Sequence, residues 1–174
     1  MLVAGVGSPL HPRKPEEIVL EVQIKEVEPV TVMGLPFTGS YDQTRSKLEY
    51  LMSWLLRVGH PHSAAPLGLY YDDPAKVPAE ELRAEVCLPI EEECEGEEEI
   101  VRKGLPAATV ACAVHTGPYA AIPQVYEQIF EWIGQNGYSY VEGEPTREVF
   151  LAMYGQVEDP AEFVTEVQVP VQKV

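Results

Sequence analysis

Glu148 stands in Pro145-Thr146-Arg147-Glu148-Val149-Phe150-Leu151, where β-branched and aromatic residues predict a strand and alternation puts its carboxylate on the same face as Phe150. A carboxylate beside an aromatic ring is expensive to desolvate unless a cation or a hydrogen-bond donor meets it. Placed in that way it would attract a cationic ligand, or serve as a general base once an apolar setting raises its pKa. Alternation leaves other outcomes open: Arg147 or a tyrosine hydroxyl satisfies the acid, or the face is exposed. The chain also has nine tyrosines. Aromatic faces attract cations, although for each ring taken singly the core reading wins, because large rings dominate ordinary cores.

Other chemical signals are thinner. His60-Pro61-His62 sets two histidines two apart in a Pro-rich stretch with no third ligand indicated, which favours a surface turn over a metal site. His115 falls late in an expected strand, where a structural role outweighs that of a catalytic base. P-loop, GxGxxG, GxSxG and HExxH motifs are all missing, and no cofactor or metal is expected. Cys87, Cys94 and Cys112 are an odd, widely spaced set without a CxxC, which fits a reducing cytoplasm better than a disulfide framework.

The formal net charge of −16 excludes the basic surface that nucleic acids and anionic membranes require. Seven glutamates crowd into residues 91–99, which read as a solvated connector, and the remainder of the chain is still acidic. With 45% hydrophobic residues in 174, there is enough apolar material for one compact domain. The start of the chain lacks a basic region before its broken apolar stretch, so no secretory signal is expected. Residues 104–126 carry no Asp, Glu, Lys or Arg, but their prolines and glycines predict strand, turn and helix start instead of a membrane span.

The elements that must position Glu148 are written twice. A shift of 78 places Gly39 on Gly117, Tyr41 on Tyr119, Trp54 on Trp132 and Gly59 on Gly137, and a shift of 81 places Ala84 to Ile90 on Thr165 to Val171. Matching Pro66 to Pro145 sets Tyr71 opposite Phe150 and makes the apolar Leu69 the counterpart of Glu148. Periodicity fills in the first unit: strands over 18–25 and 30–37, an amphipathic helix over 44–58, and strands near 67–71 and 82–90. The second unit repeats the order, with strands over 107–115, 147–154 and 163–171 and a helix whose apolar face is Ile122, Tyr126, Ile129 and Ile133. The expected fold is α+β: tandem β-α-β-β units, over 18–90 and 100–171, share one curved antiparallel sheet with both helices on one face.

The tandem units, the His115-Thr116-Gly117-Pro118-Tyr119 turn, the Tyr126 to Trp132 helix and the Pro145 to Phe150 strand together resemble the GyrI-like small-molecule-binding family. These are the effector-binding domains of AraC-type and multidrug-responsive regulators. The resemblance covers about residues 18–171. It implies an aromatic pocket between the halves, holding a glutamate that faces lipophilic cations. Carried over by motif, that glutamate is Glu148 and the turn aromatic is Tyr119. Phe150 stands where the family often has tyrosine, while Tyr41 and Tyr71 enter through the internal repeat and Phe163 through its place at the start of the last strand. The helix-turn-helix that regulators of the family carry is not found here, so no direct contact with nucleic acid is expected.

Three functions follow from the resemblance. One is a stand-alone binder of amphipathic cations. Another is a hydrolase of cyclopropane-bearing or other electrophilic compounds, with Glu148 activating or orienting water and Tyr119 or Tyr71 positioning the electrophile. The third is a protein-binding role, as an inhibitor of DNA gyrase.

Overall fold

The computed structural model describes residues 20–174, so Ile18 and Val19 of the first expected strand lie outside the described residues. The order in the first half is β1 (Gln23–Val27), β2 (Val30–Thr38), α1 (Thr44–Arg57), β3 (Leu67–Tyr70) and β4 (Arg83–Pro89). The second half has β5 (Val101–Leu105), β6 (Ala108–Thr116), α2 (Ile122–Gln135), β7 (Tyr138–Tyr140), β8 (Thr146–Ala152) and β9 (Val164–Lys173). The helices form where apolar residues recur at three and four: Leu48, Leu51 and Leu55 are buried under α1, and Ile122, Val125, Ile129 and Ile133 under α2. Each fully buried aliphatic side chain contributes about 1.5–3 kcal/mol. Pro123 sits in the first turn of α2, where its missing N–H costs nothing.

A single 3-10 turn leads into each helix, at Tyr41–Gln43 and Tyr119–Ala121. Ahead of each stands a glycine with φ near +136°, Gly39 at +135° and Gly117 at +137°. A side chain at either would be strained there. Each glycine N–H donates at 2.8 Å to the residue before the last strand of its own half, Gly39 to Leu82 and Gly117 to Phe163. These bonds fix where Tyr41 and Tyr119 emerge.

The main sheet is antiparallel throughout and curls into a half-barrel, in the order β1-β6-β9-β8-β3-β4-β2-β5, with β7 paired to the end of β9. That order is a palindrome. Gln23 pairs Cys112 and Val101 pairs Gly34, and a shift of 78 converts one pair into the other. Both helices lie on the same face, where two apolar clusters form the core: one under α1 with Met33, Val86 and Phe150, one under α2 with Ala111, Val167 and Val169.

β5 and β7 were not expected from the sequence. Val101-Arg102-Lys103-Gly104-Leu105 has no apolar alternation because β5 is an edge strand, and most of it is solvent-facing. It is the counterpart of β1, and the two are exchanged: β1 pairs with β6 of the second half, and β5 with β2 of the first. Of the acidic run, Glu91–Glu93 and the residues from Glu95 to Glu99 are exposed, while Cys94 is buried. Glu97 is tied down by the Trp54 indole, which donates to it at 2.7 Å. Among the described residues no helix is long and apolar enough to cross a membrane.

Candidate functional site

β3 and β8 cross the middle of the sheet with Gly68 directly opposite Glu148. The neighbouring pairs, Leu67 with Val149 and Leu69 with Arg147, exchange under a shift of 80, whereas Gly68 and Glu148 exchange with each other. Glu148 therefore stands on the pseudo-twofold axis, and its counterpart is Gly68. The expected match of Pro66 to Pro145 was one residue out. In a strand a slip of one turns every side chain to the other face. The true counterpart of Phe150 is accordingly Tyr70.

Glu148 faces the helices. As a residue it is half-buried, but its carboxylate is desolvated. Tyr126, on α2, donates to Glu148 Oε1 at 3.0 Å, and the Tyr70 hydroxyl lies near enough to favour the ionised acid as well. Thr146 Oγ1 lies 3.2 Å from the Tyr126 hydroxyl, and Thr44 Oγ1 lies 3.1 Å from that of Tyr70. No Lys or Arg among the described residues is paired with the acid; Arg147, one residue away, turns to the opposite face and donates to the Pro106 carbonyl at 3.2 Å. Burial pushes the Glu148 pKa up to about 7, against the lowering effect of the Tyr126 and Tyr70 hydroxyls. The same burial, reinforced by the Glu148 charge, holds both phenols well above their ordinary range.

Gly68 makes this arrangement sterically possible. The Tyr70 ring leans back along its own strand, so that a Cβ at position 68 would come within 2.6 Å of the Tyr70 hydroxyl. Beyond Tyr70 opens a cavity of about 270 Å³, walled by Thr44, Arg45 and Leu48 of α1 and by Tyr70, Tyr119, Phe150, Met153 and Tyr154, with Asp42 at its edge. Tyr119 is central. Its ring stacks on Phe163 at 5.0 Å and meets Phe150 at 6.0 Å and Tyr154 at 5.8 Å. Burial, then the neighbouring Tyr154 and Glu148, push its phenol up to about 12.

The residues expected from sequence divide. Tyr119, Phe150 and Phe163 join one aromatic cluster; Glu148 does not line the cavity but lies behind Tyr70, which does. Tyr41 stands one layer back: its ring packs edge-on against Tyr70 at 4.8 Å, and its hydroxyl is occupied by the backbone of Asp72 and Arg83. Tyr71 does not share the cavity. It packs with Leu69, Cys87 and Val149 on the opposite face, near the Arg83 guanidinium. Tyr70 and Tyr126 were missed as site residues. Tyr126 was read as a core ring of its helix, and the only cue to a polar role is that its counterpart under the shift of 78 is the plain hydrocarbon Leu48. The histidine pair is split, with His60 Nδ1 at 2.8 Å from Glu92 and His62 Nδ1 at 2.9 Å from the Ala64 carbonyl. A second cavity, about 320 Å³, lies between α1 and Glu97–Ile100 and contains none of the expected site residues.

The family model of the GyrI-like small molecule binding domain matches residues 20–172. The chain belongs to this family. Among solved structures, this GyrI-like chain resembles the C-terminal domain of EcmrR with a TM-score of 0.81 at 23% identity, over 90% of this chain and 100% of that one. In the EcmrR–DNA complex the same likeness covers 91% of this chain but only 59% of EcmrR. SAV2435, solved bound to tetraphenylphosphonium, aligns with a TM-score of 0.58 at 15% identity, over 87% of this chain and 94% of that one. A protein of Erwinia billingiae named DNA gyrase inhibitor is 28% identical over 159 residues, covering 88% of this chain and 99% of the relative.

Proposed function

We propose that this GyrI-like domain binds amphipathic lipophilic cations between its two halves, with Glu148 as the charge that selects them. One observation carries the proposal: a desolvated carboxylate, bonded by the Tyr126 phenol and paired with no Lys or Arg among the described residues, stands behind Tyr70, which walls an aromatic cavity. A cation entering beside Tyr70, Tyr119 and Tyr154 would gain about 0.5–2 kcal/mol from each ring it covers and would relieve the burial of Glu148. A neutral ligand of the same shape gains the apolar contacts alone, so the site discriminates by charge.

Tetraphenylphosphonium is a suitable probe. Calorimetric titration should show saturable binding that Glu148→Gln weakens at least tenfold, with an unchanged fold by circular dichroism. Equal affinity in the variant would overturn the role of the carboxylate.

A second reading is favoured by the same acid. A carboxyl pushed up to about 7 by burial would suit a general base on water, and hydrolysis of a strained cyclopropane electrophile would use it so. Loss of the substrate chromophore, abolished in Glu148→Gln, would support it; no turnover in the unmodified protein would dismiss it.

A further inference from the structure

Arg45, the second residue of α1, places its guanidinium 3.5 Å from the centroid of the Tyr154 ring, and its Nε donates to Glu49 at 2.9 Å. Tyr154 is itself packed edge-on against Phe163 at 4.8 Å, so Arg45 covers one face of the aromatic cluster that walls the cavity. A cation thus already occupies the ring face that an incoming cation would seek. The cavity that remains, about 270 Å³, is smaller than the roughly 300–1,000 Å³ usual for drug-sized ligands. Arg45 is also free to leave: its side chain is 55% exposed and that of its partner Glu49 is 57% exposed. The corresponding position on α2 is Pro123, so the second half has no equivalent.

We infer that Arg45 is the specificity-determining residue of the cavity, holding the cation position over Tyr154 until a lipophilic cation displaces it. The inference rests on the cation-binding reading above. Displacement exchanges one cation–π contact for another, so a small hydrophilic cation gains nothing by entering. A ligand that brings several rings gains the contacts of Tyr119, Phe150 and Met153 as well and moves Arg45 into solvent beside Glu49. The device screens ligands by aromatic area as Glu148 screens them by charge.

The test compares tetraphenylphosphonium with the neutral triphenylphosphine oxide on the unmodified protein, Arg45→Met and Glu148→Gln. Arg45→Met should tighten tetraphenylphosphonium roughly three- to tenfold, the loss of one competing cation–π contact, and leave the oxide within about twofold. Equal tightening of both probes would show a steric plug and overturn the charge competition. No tightening of the cation, with the Glu148 dependence intact, would overturn the role of Arg45 alone. Absence of any preference for the cation, or of any binding, would instead remove the reading on which the inference stands. Independently of affinity, the Arg45 δ-proton resonances should be shifted upfield by the Tyr154 ring in the free protein. They should return to ordinary values in Tyr154→Leu and on saturation with tetraphenylphosphonium; shifts that ignore both changes would sink the inference.

Discussion

A carboxyl whose pKa rises on folding binds more protons in the folded state than in the unfolded one between the two values. For Glu148 that window runs from the ordinary carboxylate value of 4.5 to about 7. Its contribution to stability is therefore most favourable below the window, falls as pH rises through it, and is fully lost above about 7. Glu148→Gln should accordingly gain on the order of 2–3 kcal/mol relative to the unmodified protein at pH 8 and nothing at pH 4.5, as read by urea unfolding at both values. Binding runs the opposite way. A cation needs the ionised acid, so affinity for tetraphenylphosphonium should weaken below pH 7, approaching tenfold per unit, while the Gln variant stays flat. A pH-independent affinity in the unmodified protein would place the cation away from this carboxylate.

At the level of elements, β3 carries a glycine where a strand ordinarily gains nothing from one, because Tyr70 must fold back over it to reach Glu148. Gly68→Ala should push that ring off the acid, cost about 1–3 kcal/mol from overpacking and weaken cation binding. Unchanged stability and affinity would show that Tyr70 has another resting place. Both helices and most of the sheet were legible in the sequence, since buried faces impose their period on it; edge strand β5 and the three-residue β7 were not, because they bury too little to leave a pattern. Within the candidate site, the strand face of Glu148 and Phe150 and the turn position of Tyr119 were readable from local motifs. Tyr70 was hidden by a one-residue error in aligning the repeats, which only the bonded register of β3 with β8 corrects. The polar role of Tyr126 depends on how α2 docks over β8, a tertiary relation that no local pattern encodes.

Across the molecule the two halves repeat even their ion pairs. Lys103 with Glu85 and Lys25 with Glu166 occupy corresponding places behind the sheet, under shifts of 78 and 81. Their settings differ: Glu85 is 4% exposed against 14% for Glu166, Lys103 33% against 50% for Lys25, and Glu166 also accepts from Gln168. Lys103→Met, which strands a buried acid, should cost about 2–4 kcal/mol, and Glu85→Gln in the same chain should restore part of it; Lys25→Met should cost under about 1 kcal/mol. Equal costs at the two sites would mean that burial does not separate them. One position admits no such repetition. Residue 148 and residue 68 face each other across the axis, so in an assembly of two identical subunits the same residue would have to meet itself. Two glutamates there would hold two negative charges against each other in a dry setting, and two glycines would leave no charge at all. Joining the copies in one chain lets a lineage change one gene segment without the other, and a single unopposed acid at the centre is open to the fused form but closed to an identical pair.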